Sequence, residues 1–418
     1  MDKTDSFQVI AGWIPEEESI IGTCDINRAR GREVISFMYD ETWIRKHPGL
    51  VLDPSLIPTT GRQYSPHDGV PFGFLSDIAP DRWGRRLMER KEVEDARNEE
   101  RSKRTLMESD YILMVSDEGR QGGIRIKTDG VWQSPSSPGG IPPMTDIRTL
   151  EAASQALEDH QSDVKKWLRQ LMVPGSSLGG ARPKANVMDP NGSLWIAKFP
   201  SLNDETDVGA WEKTAHDLAG LCGLRVSESK IMKLSPRGTT FVTKRFDRYV
   251  SSQGNSLTRR HFASAMTMLE KTDSDPEPAG YLDIANVIEK ICGHSATENL
   301  KELWRRIVFN ILISNTDDHL RNHGFLLCKD DSWELSPAYD LNPSLEKDSL
   351  SLNIDFDNND KDPELALSVC EMFRMSRTEA EKEVREMKSL IADNWRFIAS
   401  ENGISKREQD YMERCFLL

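Results

Sequence analysis

The stretch that most constrains this chain is residues 307–340, IVFNILISNTDDHLRNHGFLLCKDDSWELSPAYD. It starts on the apolar stripe of a predicted helix and runs into the polar sequence Asn-Thr-Asp-Asp-His. Asn322 stands five residues after Asp317, and two short strand-like runs then lead to another acid, Asp340. The pattern predicts a polar loop that is held between a buried helix and a strand pair.

An Asp, an Asn five residues later and an Asp after a strand pair is the order that protein kinases use. In that order the first Asp accepts the proton of the substrate hydroxyl, and the Asn and the second Asp bind magnesium. The spacing predicts Asp317, rather than Asp318, as the base, with Asn322 and Asp340 as magnesium ligands. Asp318 and His319 are then expected to hold the loop.

Two other interpretations of this stretch stay open. His319 and His323 are spaced i, i+4, as in a metallohydrolase, although HLRNH lacks the Glu of the zinc-protease helix. Asp340, which lies shortly before Pro343, could also be an acid that caps a turn.

A glycine-rich loop, GSSLGGARPK, occupies residues 175–184. It is not a Walker A box, because it ends in Pro-Lys instead of Gly-Lys-Ser/Thr. Its small residues allow backbone N–H groups to approach phosphates closely, while a surface loop before a hairpin is the alternative. The candidate cofactor-binding residues in this loop are Ser177, Gly179, Gly180 and Lys184.

Lys198 lies in LWIAKFP, a run that is typical of a buried strand, where a charged side chain needs a partner or a ligand. In kinases such a lysine contacts the nucleotide phosphates and pairs with a glutamate of the next helix. Glu212 is the candidate glutamate, with Glu205 and Asp207 as alternatives. An edge-strand lysine that faces water is the competing interpretation of Lys198.

Local patterns predict a domain boundary near residue 140. Apolar alternation over residues 7–40 favours an antiparallel sheet, and the proline-rich run 131–145 favours a linker. Asn191-Gly192 between alternating runs predicts a β hairpin. From residue 257 the chain is expected to be mostly helical, with predicted helices at 257–269, 281–292 and 296–314 and a helical tail over 363–416.

Composition narrows the classes of function. A net charge of −14 argues against binding along a nucleic-acid backbone, which needs a basic face. The six cysteines are scattered without CxxC pairs, which is typical of reduced thiols in a cytoplasmic protein. The acidic, polar start has no signal-peptide pattern, and no apolar run approaches the roughly 20 residues of a membrane span.

The chain resembles the HipA-like serine/threonine kinases, the toxins of bacterial toxin–antitoxin pairs. The motifs that carry this resemblance are SSLGGARPK ending at Lys184, IAKF ending at Phe199, RFDR ending at Arg248, NTDDHLRN ending at Asn322 and PAYD ending at Asp340. GFLSDIAPDR and DEGRQG in the first part of the chain are also similar. The resemblance implies an α+β, HipA-type fold: a small N-terminal α/β domain (1–140), then a kinase-like bilobal domain with a mixed ATP-binding lobe (141–248) and a mostly helical catalytic lobe (249–418).

The resemblance also implies roles for particular residues. Asp317 is carried over as the catalytic base, Asn322 and Asp340 as Mg²⁺ ligands, and Lys198 as a contact to the ATP phosphates. His319 is carried over as a further candidate cofactor contact. Ser177 matches the serine that the family autophosphorylates, with the adjacent Ser176 as the alternative site.

The implied partners are a HipB-like helix-turn-helix antitoxin, a protein substrate such as a translation component, and DNA reached only through the antitoxin. No membrane partner is expected. Two other classes of function remain open: a catalytically inactive scaffold that acts as a co-repressor with its antitoxin, and a phosphotransferase that acts on a small molecule.

Overall fold

A computed structural model gives the architecture of the chain. It describes residues 5–15, 19–29, 31–66, 69–133, 140–159, 164–175, 180, 182–250, 257–275 and 279–416. Two compact units result: the first contains Met1–Leu202 and Asp247–Ala263, and the second contains Asn203–Phe246 and Ser264–Leu418. The predicted three-part division at residues 140 and 248 stays a prediction. Among the described helices, none combines the length and the apolarity that crossing a membrane requires.

Strands and helices fall mostly into separate runs along the chain, as in an α+β fold. The strands are β1 (Asp5–Ala11), β2 (Ile20–Ala29), β3 (Arg32–Tyr39), β4 (Gln63–Tyr64), β5 (Ile124–Thr128), β6 (Val131–Trp132), β7 (Lys184–Met188), β8 (Leu194–Lys198), β9 (Ser229–Ser235), β10 (Gly238–Lys244), β11 (Arg248–Val250), β12 (Leu257–Arg259), β13 (Phe262–Ser264), β14 (Gly324–Leu327) and β15 (Trp333–Leu335). The α helices are α1 (Glu41–Lys46), α2 (Gly73–Asp77), α3 (Arg82–Asn98), α4 (Glu108–Met114), α5 (Ile147–Glu158), α6 (Val164–Gly175), α7 (Val208–Leu221), α8 (Ala265–Met268), α9 (Tyr281–Ile291), α10 (Ala296–Leu312), α11 (Pro363–Ser368), α12 (Arg377–Glu401) and α13 (Lys406–Met412).

The first unit is built on an antiparallel sheet with the strand order β4-β3-β2-β1-β5-β6. Its central strands follow the alternation that the sequence predicts over residues 7–40. Phe7 lies opposite Cys24 in the register, and both side chains are buried. Burying one face of each strand fixes the register, because a slip of one residue would turn the apolar side chains toward water.

The hairpin that Asn191-Gly192 predicts is present as β7 and β8. Gly192 has φ 79°, a conformation that glycine adopts without steric cost. The Asp189 carboxylate accepts from the backbone N–H groups of Asn191 (2.9 Å) and Ser193 (2.8 Å), which closes the turn. The register places Lys184 directly opposite Lys198.

Residues 247–263 return the chain to the first unit. The Gly122 N–H donates to Asp247 Oδ2, and Arg248 Nη1 donates to the Gly122 carbonyl, both at 2.7 Å. The predicted helix over 257–269 is wrong for its first part, because Leu257–Arg259 pairs with Arg248–Val250 as antiparallel strands. Only Ala265–Met268 of that range is α-helical.

The second unit is mostly helical and packs around α10. This helix carries the predicted apolar stripe, and its indole Trp304 Nε1–H donates to the Ala366 carbonyl at 2.9 Å. Two antiparallel hairpins, β9–β10 and β14–β15, accompany the helices. The helical tail predicted over 363–416 is confirmed by α11, α12 and α13. The stripe consists of the fully buried side chains of Leu300, Leu303, Trp304, Ile307, Val308, Ile311 and Leu312.

Candidate active site

The polar loop of the opening stretch, residues 313–323, leaves the buried end of α10. Asn315 folds back onto the helix: its backbone N–H donates to the Asn310 carbonyl at 2.9 Å and its Nδ2 donates to Asn310 Oδ1 at 3.0 Å. Ser314, between them, has φ 53°, a left-handed conformation that is uncommon for a residue other than glycine. The 313–323 loop therefore begins with a sharp, hydrogen-bonded reversal.

Asp317 lies on the outer side of this loop, with 76% of its side chain exposed. Its Oδ1 is 3.3 Å from the ammonium group of Lys347. The buried Asn322 donates from Nδ2 to the Asp317 backbone carbonyl at 3.3 Å, so the two residues are neighbours in space. His319, whose carbonyl accepts from the Asn322 N–H at 2.8 Å, is exposed.

Asp318 is turned the other way and is buried. Its Oδ2 accepts from the Tyr281 hydroxyl (2.6 Å) and from Asn310 Nδ2 (2.9 Å), and it lies 2.8 Å from His323 Nε2. Burial alone would raise the pKa of Asp318, but the charge and hydrogen bond of His323 and the hydrogen bond from Tyr281 hold it below its usual value. Asp318 therefore stays ionised inside the second unit.

Asp340 follows β15 on a segment that is tied to the same loop. Three hydrogen bonds join residues 339–344 to the loop: the Tyr339 hydroxyl to the Arg321 carbonyl (2.6 Å), the Asn342 N–H to Asn315 Oδ1 (3.4 Å) and the Ser344 N–H to the Ser314 carbonyl (3.0 Å). Asp340 itself has φ 60°. A left-handed backbone at a non-glycine residue costs free energy and is often found at functional sites.

Asp317, Asn322 and Asp340 thus lie on two segments that the structure holds side by side. The amide of Asn322 and the carboxylate of Asp340 are oxygen donors of the kind that Mg²⁺ prefers when phosphate oxygens and water complete its coordination. Among the described residues, no three side chains of the types His, Cys, Asp and Glu converge in a way that could hold a metal ion. The metallohydrolase interpretation of His319 and His323 therefore lacks a third His, Cys, Asp or Glu ligand among the described residues.

In the first unit, the glycine-rich loop is described only in part. Ser177 and Gly179, and the alternative phosphosite Ser176, lie outside the described residues. Gly180 has φ 95°, and a β-carbon added to it would lie 3.0 Å from Lys184 Nζ, so the lysine ammonium group is packed against this loop. The positive φ favours glycine at position 180.

Lys184 is buried, and its Nζ lies 3.1 Å from Asp81 Oδ2, with 3% and 6% of the two side chains exposed. Asp81 also caps α3, since its Oδ1 accepts from the Gly84 N–H at 2.7 Å. Burial raises the pKa of Asp81 above its usual value, although the charge of Lys184 and the Gly84 N–H oppose that shift. The predicted contact between Lys184 and a nucleotide stays a prediction.

The predicted pair of Lys198 and Glu212 involves one residue of each unit, and it stays a prediction. Lys198 is half-buried at the end of β8 in the first unit. Glu212 is buried on α7 in the second unit. Of the alternatives, Glu205 is exposed, and Asp207 caps α7 while also accepting from the Thr239 hydroxyl at 2.6 Å.

Sequence reasoning missed four residues at these places: Asp81, Tyr281, Asn310 and Lys347. Tyr281 and Asp318 are separated by 37 residues, and Asp81 and Lys184 belong to different local patterns, so no spacing rule links them. Asn310 could have been suspected, because it is a polar residue within the apolar stripe of α10. A buried amide in such a stripe needs hydrogen-bond partners.

Comparison with known proteins gives the family. The model of the HipA-like C-terminal domain matches residues 176–395, which contain the 313–323 loop and Asp340. The chain belongs to this family.

Two curated relatives carry related names. The protein named "Putative kinase Y4dM" from Sinorhizobium fredii is 26% identical over 218 residues, which make up 50% of this chain and 50% of that protein. A protein named "Putative kinase" from Haemophilus influenzae is 33% identical over 108 residues, 24% of this chain and 30% of that protein. The chain thus spans about half the length of the first relative and less of the second.

A solved structure extends the likeness to nearly the whole chain. It is a chain of the Shewanella oneidensis MR-1 complex described as the toxin–antitoxin system HipA, HipB and its operator DNA. The two structures superpose with a TM-score of 0.67 at 18% identity, over 98% of this chain and 94% of that one. At this identity the match establishes the fold: the chain has the α+β fold of HipA.

Proposed function

We propose that this chain is an ATP- and Mg²⁺-dependent protein serine/threonine kinase of the HipA toxin family. The observation that carries the proposal is the division of labour between two adjacent acids. Asp317 is exposed and its backbone is held by Asn322, whereas Asp318 is buried under three hydrogen-bond partners. One carboxylate is available to a substrate, and its neighbour is not.

In this proposal Asp317 accepts the proton of a serine hydroxyl as that oxygen attacks the γ-phosphorus of ATP. The phosphorus–oxygen bond to ADP breaks, and the phosphoryl group passes to the serine. Phosphoryl transfer depends on positioning and on charge stabilisation, and the hydrogen-bonded backbone of the 313–323 loop would meet the first need. Lys347, beside Asp317, adds a positive charge near the transferred group.

When bound, Mg²⁺ would partly neutralise the negative charge of the ATP phosphates, and Asn322 and Asp340 would be its protein ligands. The three hydrogen bonds that join residues 339–344 to the 313–323 loop support this pairing. On the first unit, the residues proposed to bind ATP are Lys198, Lys184, Gly180, Gly179 and Ser177. Glu212 and His319 are proposed as further contacts on the second unit.

The family membership and the names of the relatives support a kinase in the coarse sense. The finer proposal adds a protein serine as acceptor, autophosphorylation of Ser177 or Ser176, and growth arrest as the consequence. A small HipB-like helix-turn-helix antitoxin is the proposed partner, through which DNA is reached. The Shewanella oneidensis complex, which contains HipA, HipB and operator DNA, supports that partner.

The test compares wild type, Asp317→Asn and Asp348→Asn in transfer of labelled γ-phosphate from ATP with Mg²⁺. Asp348 is a matched control, because it is also exposed and close in sequence to Lys347. Loss of a general base lowers the rate by about 10²–10⁴-fold. We therefore expect the transfer rate of Asp317→Asn to be lower than that of wild type by such a factor, and the rate of Asp348→Asn to stay near that of wild type. Equal, background-level transfer by wild type and Asp317→Asn would overturn the proposal and favour an inactive scaffold.

The acceptor is tested separately by intact-mass measurement after incubation with ATP and Mg²⁺. The expected result is the gain of one phosphate, mapped by peptide analysis to Ser177 or Ser176. A chain that consumes ATP but never becomes phosphorylated would favour the small-molecule phosphotransferase instead.

A further inference from the structure

Four polar side chains meet next to Asp317 and are almost fully buried. Tyr281 and Asn310 donate to Asp318 Oδ2, and His323 Nε2 lies 2.8 Å from the same oxygen. The Tyr281 ring also meets the His323 ring edge-on, with 5.7 Å between ring centroids. The side chains of Asp318 and His323 are 4% and 2% exposed. We call Asp318, Tyr281, Asn310 and His323 the Asp318 cluster.

The cluster is built for a charge. A buried carboxylate is costly unless hydrogen-bond donors replace the water that it loses, and charge-assisted hydrogen bonds are the strong ones. Tyr281 is a dependable donor, because burial first, and then the charge of Asp318, raise the pKa of its hydroxyl well above the usual value. The arrangement fixes Asp318 in both place and direction.

The members of the cluster come from separate elements of the second unit. Tyr281 is the first residue of α9, Asn310 belongs to α10, and His323 stands just before β14. The His323 carbonyl also accepts from the Ala265 N–H at 2.8 Å, at the start of α8. Asp318 thereby ties the 313–323 loop to the helical core.

In sequence, Asp317 lies between two residues that are hydrogen-bonded to the helical core. On its N-terminal side Asn315 donates twice to Asn310, and on its C-terminal side Asp318 Oδ2 accepts from Nδ2 of the same Asn310. One asparagine of α10 therefore holds the chain on both sides of Asp317. With its neighbours fixed, the Asp317 backbone has little freedom to rotate, and its side chain leaves the loop in one direction.

The N-terminal end of α9, which contains Tyr281, also contacts the segment beyond Asp340. The Tyr281 N–H donates to the Asn353 carbonyl at 2.8 Å, and a β-carbon on Gly280 would lie 2.8 Å from that oxygen. Two residues earlier, the Ser351 hydroxyl donates to the Thr316 carbonyl at 2.8 Å. The cluster is therefore continuous, through short hydrogen bonds, with the residues on either side of Asp317.

We propose that the Asp318 cluster is a positioning device that fixes the Asp317 carboxylate for proton abstraction, with Asp318 as its central residue. The inference rests on the proposed kinase function. Asp318 does not meet the substrate, because it is buried; it acts through the backbone that it shares with Asp317. A displacement of about 1 Å at a reacting group can cost on the order of 100-fold in rate, so such a device has a measurable effect.

The main test variant is Tyr281→Phe, which removes one hydroxyl and keeps the ring against His323. Asp318→Asn is the second, since it keeps the shape of the side chain and removes its charge. Tyr111→Phe is the matched control: it also removes one tyrosine hydroxyl that donates to a carboxylate, that of Glu89 at 2.9 Å in the first unit. All three are assayed for phosphoryl transfer at a temperature where near-UV circular dichroism shows them folded.

We expect kcat to fall about 10-fold or more in Tyr281→Phe and further in Asp318→Asn. The KM for ATP should stay within about twofold, because a base in the wrong place weakens the transition state and not the binding of nucleotide. Tyr111→Phe should keep the wild-type kcat. Wild-type kcat in both folded cluster variants overturns the inference, as does a rise in KM alone.

Amide hydrogen exchange of the peptide covering residues 313–323 separates this inference from the proposed function, because it needs no turnover. Faster exchange there in Tyr281→Phe, with Tyr111→Phe unchanged, supports the positioning role. Unchanged exchange in both overturns it, even if the enzyme is active. A wild-type protein without any phosphoryl transfer refutes the kinase proposal. In that case hydrogen exchange alone tests whether the Asp318 cluster fixes the 313–323 loop.

Discussion

The side chains of Asp81 in the first unit and of Asp318 in the second are both buried, yet their pKa values move in opposite directions. Burial raises the pKa of Asp81, and the partial opposition of Lys184 and the Gly84 N–H does not cancel that rise. Burial acts on Asp318 in the same sense, but His323 and Tyr281 reverse the outcome and lower its pKa. The comparison isolates the effect of the partners, because the burial is similar.

The difference lies in how the charged oxygen is hydrogen-bonded. Asp318 Oδ2 has three close polar partners, at 2.6 to 2.9 Å. Asp81 Oδ2 has the Lys184 ammonium group at 3.1 Å, but within the described part of the chain no partner meets it with hydrogen-bond geometry. An ion pair in a poor geometry does not recover the cost of desolvation, whereas a well-bonded carboxylate does.

Two kinds of buried acid follow from this contrast. Asp318 is stable as an anion and serves as a fixed point for the 313–323 loop. Asp81 is a helix cap whose second oxygen is held beside the lysine of the glycine-rich loop at an energetic cost. Such a costly contact is the one that a ligand or a substitution can rearrange most easily.

The largest expected effect is that of Lys184→Met. It leaves the buried Asp81 carboxylate without its counter-charge, and breaking a buried ion pair in this way costs about 3–5 kcal/mol of stability. Adding Asp81→Asn should restore the wild-type value or exceed it, because asparagine caps a helix as well as aspartate does. Urea denaturation at neutral pH measures both. A double variant as unstable as Lys184→Met would show that the ion pair itself is favourable.

Asp318→Asn should cost less, about 1.5–3 kcal/mol, which is the usual worth of hydrogen bonds to a charged group. The amide oxygen of the new asparagine can still accept from Tyr281 and Asn310, so the site is weakened and not emptied. The same urea titration measures this loss. A change below about 0.5 kcal/mol would mean that the three hydrogen bonds do not favour the anion.

Lowering the pH should change the contributions of Asp318 and Asp81 to the free energy of unfolding in opposite directions. The folded-state pKa of Asp318 lies below its unfolded value of 3.8, so its contribution is present above that value and is lost as pH falls below it. The pKa of Asp81 is raised, so the folded state takes up a proton first and the deficit of Lys184→Met should shrink as pH falls toward 3.8. Denaturation series at several pH values check both slopes, and equal slopes would contradict the comparison.

The smallest effect is expected for Lys347→Ala, which removes the partner of the exposed Asp317. Exposed ion pairs contribute about 0–1 kcal/mol and are screened by salt. Stability should therefore change by less than about 1 kcal/mol, and the change should vanish in high salt. A larger loss that persists in salt would mean that Asp317, like Asp318, contributes to the stability of the fold through a contact that salt does not screen.

Much of the fold could be predicted because it follows from local patterns. Alternation marks β1 to β3, the turn at Asn191-Gly192 marks one hairpin, and a stripe at helical spacing marks α10. The pairing of Leu257–Arg259 with Arg248–Val250 could not be predicted, since a three-residue strand carries no periodic signal. The same segment also depends on Asp117, which meets Arg259 across 142 residues of sequence.

The candidate site divides in the same way. The spacing of Asp317 and Asn322 and the later Asp340 could be recognised as a candidate site, because protein kinases use those residue types in that order. The buried partners that hold Asp318 could not be recognised, because any polar residue brought near by the fold could serve. Sequence therefore favoured Asp317 as the base and Asp318 as a residue that holds the loop, without indicating which side chains bond to Asp318.

The return of residues 247–263 to the first unit also bears on the order of synthesis. Gly122 is bonded to Asp247 and Arg248, and Asp117 to Arg259, so those contacts wait until residue 259 has left the ribosome. By then the first residues of the second unit, from Asn203 to Phe246, have already emerged. The first unit of a nascent chain must therefore remain incomplete while part of the second is already outside, and a fragment that ends at Leu202 would lack the strands that complete it.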